Sequence, residues 1–181
     1  MKHLAPLLAA LLLLAACGSS DRPEGAPAPV ADNRALAALF NADQKARKDG
    51  RLDLVEVMAD AERLAEVRAM LKRGEVRSGE DFLRAGLLFQ HSFQTDDYLL
   101  AHALATAALS QGEERGARLA AASLDRYLLA TGRRQIYGTQ FVQIGSEPTR
   151  QLALDRDLLT DAIREATLVP PLAEQTPPPK P

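Results

Sequence analysis

His91, Asp125, Arg126 and Tyr137 are the side chains of this chain best suited to chemistry. His91 closes the apolar run Leu87-Leu88-Phe89, and Asp125-Arg126 lies inside a stretch rich in Ala and Leu, so these polar groups fall where an interior is expected. An imidazole there could act as general base, with Asp125 orienting it and Arg126 or Tyr137 stabilising an anion, a set suited to hydrolysis. Candidate binding residues accompany them. Asp43 and Arg47 continue the Leu36 and Phe40 stripe four residues apart, a spacing that lets them pair on one helix face, and Gln90, Gln135 and Gln140 add amides. Arg68 also falls on an apolar stripe. No phosphate loop, HExxH, paired CxxC or GxSxG elbow occurs, so the sequence implies no cofactor. Beyond residue 16 the histidines are His91 and His102, on what read as different helices, whereas catalytic zinc generally takes three protein ligands at one point, so no metal is expected. His102, within an alanine-rich helix, reads as a core or surface histidine.

The elements that must position these groups are helical. Residues 34–48 place Leu36, Leu39 and Phe40 on one stripe, and residues 53–73 place Leu54, Val57, Met58, Ala61, Leu64, Ala65 and Leu71 on another; Gly50 and Gly74 end the two helices. Ser78-Gly79-Glu80-Asp81 resembles a capping box opening a third helix to about Ser92. Thr95 is placed to cap a fourth running to Gln111, and a fifth spans about 113–131 before Gly132. The third to fifth helices are apolar nearly all round and carry many alanines, so they should pack closely as the buried centre. β-Formers flank Gly145-Ser146-Glu147-Pro148, which predicts a short hairpin over about 136–154, followed by a last helix over about 155–167. The expected fold is mainly α: a compact helical bundle of about six helices with one short β-hairpin near the C-terminal end. Its helix hairpins resemble tetratricopeptide or Sel1-type units, but no repeat is copied at a fixed period, which argues against a solenoid.

At the N-terminus, Lys2 and His3 precede an apolar run from Leu4 to Ala16, the layout of a secretory signal peptide and too short for a membrane span. Leu14-Ala15-Ala16-Cys17 resembles the bacterial lipobox, and Cys17 is the one cysteine of the chain. That resemblance implies lipidation of Cys17 and attachment to a membrane through the lipid; Gly18, rather than Asp, implies the outer membrane facing the periplasm. Several acyl chains give a lasting anchor where a single one binds only marginally. Residues 17–33 then form the lipidated cysteine and a flexible tether with an rms reach of about 20–25 Å. Residues 34–169 form the helical domain, and 170–181, with six prolines, an extended tail. Without residues 1–16 the chain has 21 basic residues (22 less Lys2) against 24 acidic. Its Arg residues are interleaved with acids, so it has no basic face for nucleic acid; an envelope protein remains a possible partner.

Gln90-His91, Asp96-Asp97-Tyr98, Asp125-Arg126 and Gln135-x-Tyr137-Gly138-Thr139-Gln140, in this order, resemble an uncharacterised bacterial domain family. The likeness covers about residues 40–172 and includes Asp43, Arg47, Asp155 and Arg164; the stretch Gly74 to Asp81 lacks the Gly-Trp-Pro element many relatives have there. The resemblance implies one fold unit and no particular activity. Because buried charge is costly unless paired, the polar residues should meet one another or the run Gln135 to Gln140. Two readings follow. In one, His91, Asp125, Arg126, Gln135, Tyr137 and Gln140 form a network locking the hairpin onto the helices of an envelope interaction or scaffold module. In the other, they line a pocket of a hydrolase or a small-ligand binder.

Overall fold

The computed structural model describes residues 30–51 and 53–175. The expected signal peptide, Cys17, most of the tether and the last six residues of the tail lie outside them. Six α-helices occur among the described residues: α1 (Arg34–Lys48), α2 (Leu54–Lys72), α3 (Gly79–Phe89), α4 (Thr95–Ser110), α5 (Gly116–Ala130) and α6 (Asp161–Ala166). A two-stranded antiparallel hairpin, β1 (Phe141–Val142) and β2 (Arg150–Gln151), lies between α5 and α6, and a 3-10 turn (Leu172–Glu174) follows. The protein is thus mainly helical with one short hairpin near its C-terminal end. None of the described helices is long and apolar enough to cross a membrane.

Short polar side chains set the helix starts. Asn33 opens α1 by accepting the N–H groups of Ala35 and Leu36, and Asp53 opens α2 by accepting that of Glu56. Ser78 and Asp81 complete a capping box at α3, as their spacing predicts. Asp81, 1% exposed, also accepts the backbone N–H of Asn33, so one carboxylate ties the start of α1 to that of α3. Contacts extend beyond residues 34–169: Ser78 donates to Asp32, and Gln175 donates to the carbonyls of Tyr137 and Pro170.

The core lies where α3 meets α1, α2 and α4, around Leu36, Val67, Met70, Leu88 and Phe89. It continues between α3, α4 and α5 through Leu83, Ala105, Ala108 and Leu119. Small residues let α4 and α5 approach closely: a Cβ on Gly116 would lie 2.6 Å from the Ala105 carbonyl oxygen. That spacing holds Asp125 and Arg126, on α5, against the rest of the domain.

Several element boundaries differ from the sequence expectation. Thr95 does not cap α4; Gln94 occupies that position without a side-chain bond, and Ser92 accepts the Gln94 N–H instead. The last helix does not start at 155. Asp155 accepts the N–H groups of Asp157 and Leu158 at 3.3 Å, a local turn that competes with helix, and α6 begins only after Thr160 accepts from Ile163. The hairpin keeps two ladder residues on each strand. The apolar stripe of α2 is buried only in its second half, and Leu54, Val55 and Met58 are 73%, 75% and 60% exposed. The first half of α2 is joined to α1 by the Arg47–Asp60 ion pair, and Arg63 ties Asp60 to Glu56 within α2.

The non-helical segment is organised by one buried carboxylate. Asp125, 0% exposed, accepts the N–H groups of Ile136 and Tyr137 on Oδ1 at 2.8 and 3.0 Å. Its Oδ2 accepts those of Gly138 and Thr139 at 3.0 and 2.9 Å, and the Thr139 hydroxyl at 2.8 Å. Wrapping four successive amides around one anion needs a left-handed residue, and Gly138 supplies it with φ 89°; a Cβ there would also fall on the side-chain amides of Gln151 and Gln175. Gln135, 0% exposed, closes the loop: its amide donates to the carbonyls of Gln140 and Leu152 and accepts the Gln140 N–H. Arg164, equally buried, donates to the carbonyls of Leu159 and Ile136 and to Asp161. Replacing Asp125 with Ala strands four amides at once and should lower the unfolding free energy by about 3–5 kcal/mol. Urea denaturation followed by circular dichroism measures this, and a loss below about 1 kcal/mol would show that the loop does not depend on the carboxylate.

Candidate functional site

The expected pairing of His91 with Asp125 does not form. Asp125 is filled by the 136–139 loop, and His91 turns to Asp43 on α1, with Nδ1 at 3.1 and 3.3 Å from its two carboxylate oxygens. An ionised carboxylate can only accept, so Nδ1 carries the proton in this contact. Asp43 is 1% exposed and also accepts from Arg47 Nε at 3.0 Å and Gln44 Nε2 at 2.8 Å. Burial pushes its carboxyl up, but hydrogen bonds from His91 and Arg47 and their charges outweigh this and hold it down at about 2.

From Asp43 a ladder of alternating charge crosses to α2. Arg47 reaches Asp60 at 3.1 Å, Arg63 bonds both Asp60 and Glu56, and Arg51 lies 3.4 Å from Glu56. Further along, Arg68 pairs with Asp97 and lies over the Phe89 ring, 4.8 Å from its centroid. Asp97 also accepts from the Ser92 hydroxyl at 2.6 Å. Each carboxylate of this set, Asp43, Glu56, Asp60 and Asp97, is matched by at least one arginine.

Arg126 is different. Among the described residues no carboxylate pairs with it, and its Nε is buried without a partner. Burial pulls its pKa down and the nearby charge of Arg47 adds to that; the Tyr98 hydroxyl works in the opposite direction. It is a cation that the fold has not neutralised.

Arg126 stands at one end of a groove between α2 and the α3–α4 connection. One cavity, of about 320 Å³, is lined by Arg47, Glu56, Asp60, His91, Tyr98 and Arg126, with Val57 and Phe93. A second, of about 290 Å³, shares Val57, Asp60, His91, Ser92 and Phe93 with it and adds the apolar wall of Ala61, Leu64 and Ala65, with the Arg68–Asp97 pair and Gln94 at its border. The shared lining makes them one continuous trough, with Arg126 at one end and a mostly apolar surface along α2 at the other. Phe93, on the connection, is 78% exposed.

The structure therefore divides the expected site residues. Asp43, Arg47, His91 and Arg126 converge on the groove. Asp125 and Gln135 are internal supports of the 136–139 loop. Tyr137 belongs to that loop, and burial together with the Asp125 charge pushes its phenol up. Gln90 and Gln140 line a separate cavity of about 290 Å³, to which Arg118 and Arg126 contribute. His102 binds the Ala120 carbonyl at 2.9 Å, a satisfied structural contact. Sequence reading missed Asp60, Arg63 and Phe93, and it held Tyr98 as a motif residue without giving it a place in the site. The i,i+3 pair Asp60 and Arg63 was legible as a helix-face ion pair; an exposed Phe in a turn carries no such signal.

Chemically, among the described residues the groove offers one free cation, a phenol hydroxyl and an imidazole beside an apolar wall. It lacks a hydroxyl activated by His91: Ser92 is engaged by Asp97, and among the described residues Asp43 is the ring's hydrogen-bond partner. Nor do three His, Cys, Asp or Glu side chains gather as a metal cage among those residues. Compared with known protein families, curated proteins and solved structures, the chain matches none.

Asp43 sets a pH limit on the site. A carboxyl held near 2 when folded and at its ordinary 3.8 when unfolded stabilises the fold above pH 4 and loses that contribution as pH falls from 4 to 2. The loss should be on the order of 2 kcal/mol. Urea midpoints at pH 5 and 2.5 should therefore diverge in the native protein and diverge less in Asp43→Asn; equal divergence in both would remove Asp43 as the cause.

Proposed function

We propose that this protein is a lipid-anchored module of the bacterial cell envelope that binds a ligand in the groove between α2 and the α3–α4 connection, and does not transform it. Arg126 carries this reading: an arginine without a carboxylate partner at the end of an apolar trough is a receptor for a negatively charged group. Hydrolysis by His91 is the weaker reading, since Asp125 is committed to backbone amides and Ser92 to Asp97. The lipobox-like Leu14-Ala15-Ala16-Cys17 supports anchoring through acyl chains on Cys17, and Gly18 supports the outer membrane facing the periplasm. The likeness to the uncharacterised domain family is in keeping with this, because its motif residues Asp43, Arg47, His91, Asp97 and Tyr98 gather around the groove.

Two measurements test the proposal separately. Labelling of cells with an alkyne fatty acid should mark the native protein and not Cys17→Ser, which should leave the membrane fraction; persistent labelling of the variant refutes acylation at Cys17. Native mass spectrometry of the full-length protein should find a bound small molecule that is lost in Ala65→Trp. Ala65 is solvent-exposed and lines the groove, so the indole fills the trough without entering the core. A ligand retained by Ala65→Trp, or none in either protein, overturns the groove as a binding site.

A further inference from the structure

The ligand's chemistry can be taken from the lining. Among the described residues at this end of the groove, Asp43, Glu56 and Asp60 are each satisfied by arginines of the ladder, and Arg126 is the one left over. A single unmatched cation calls for a single negative charge. Tyr98 lines the same cavity, and its hydroxyl is suited to share that charge through a hydrogen bond. A doubly charged head is disfavoured, because Glu56 and Asp60 also line this cavity and a second negative charge would face them.

The surface of the rest of the trough is mostly apolar; of the polar side chains bordering it, Arg68 and Asp97 are paired with each other and Gln94 lies beside them. Val57, Leu64 and Phe93 form its walls, and Ala61 and Ala65, small and exposed, leave it open along α2. The backbone of the α2 residues is consumed inside the helix, and Arg68 and Asp97 are engaged with each other, so the slot mainly suits an apolar group. The two overlapping cavities, each about 300 Å³, fall in the range of ordinary small-ligand sites.

We propose that the groove holds a singly charged anionic amphiphile, an acyl or alkyl chain bearing one carboxylate or phosphodiester, with its head on Arg126 and Tyr98 and its chain along α2. This rests on the groove being a binding site, and it adds what is bound there. The chain is argued over a peptide because α2, which forms one side of the trough, is helical and presents no backbone edge to pair with one.

The test uses the full chain carrying Cys17→Ser, so that no acyl group of its own competes, and isothermal titration with dodecanoate below its micellar concentration. Dodecanoate should bind at least about tenfold more tightly than its uncharged methyl ester, a charge-assisted hydrogen bond being the difference. Arg126→Gln should erase that preference, so that the acid binds no more tightly than the ester, and Ala65→Trp should abolish binding of both. Should Arg126→Gln fail to fold by circular dichroism, Tyr98→Phe should reduce the preference in a folded protein. Lysophosphatidylglycerol, a phosphodiester, distinguishes that head from a carboxylate, and dodecyl phosphate at pH 8 should bind more weakly than either. Equal binding of acid and ester, or a preference indifferent to Arg126 and Tyr98, overturns the proposal. So does tighter binding of an apolar peptide with a free C-terminal carboxylate than of any lipid. A ligand that Ala65→Trp expels but that is neither anionic nor amphiphilic would sink this inference and leave the binding function standing.

Discussion

A carboxylate sealed inside a protein must be surrounded by donors, and Asp125 meets that demand by bending the following chain around itself. Four consecutive amides and a hydroxyl converge on its two oxygens. An uncompensated carboxylate at this depth would cost several kcal/mol, so the loop and the charge are stable only together. Everything after α5 hangs from this contact. Gln135 joins the loop to Leu152 and its backbone to Ala153 and Asp155, the hairpin follows from Gln140 onward, and Gln175 closes over Tyr137 and Gly138. The tight packing of α4 on α5 at Gly116 fixes the helix that presents Asp125.

The same rule of charge matching shapes the groove with a different outcome. Asp43 is buried as deeply as Asp125, yet it is neutralised by side chains from α1 and the end of α3 instead of by backbone. Side chains can be shared, and Arg47 passes from Asp43 to Asp60, so the match spreads into a ladder joining α1 to α2. Small residues pack α4 closely on α5, whereas the exposed first half of α2 borders the open trough. Arg126 falls at the meeting point of the two regimes and is matched by neither.

Helix periodicity and punctuation were legible in the sequence. The stops at Gly50, Gly74, Gly112 and Gly132, the capping box at Ser78 and the Asp43 to Arg47 pair all follow from local spacing, and local spacing is what a helix records. The partner of His91 was not legible, because Asp43 lies 48 positions away and several carboxylates had equal claim by pattern. The exposed half of α2 misled for a related reason: an apolar stripe marks a face that avoids water, without naming what covers it. The stretch from 155 to 160 shows the reverse failure, where a helix-compatible sequence is diverted by one Asp side chain accepting from its own backbone.

Ile136 is held from both sides. Its N–H goes to the Asp125 carboxylate and its carbonyl accepts from the Arg164 guanidinium, so one residue lies between a buried anion and a buried cation. Opening the segment around it would expose both charges together, and restoring either contact restores the geometry for the other. The hairpin and α6, which share little apolar surface of their own, therefore open and close as one cooperative unit with the end of α5, a unit whose protection from hydrogen exchange is set by charge burial more than by hydrophobic area.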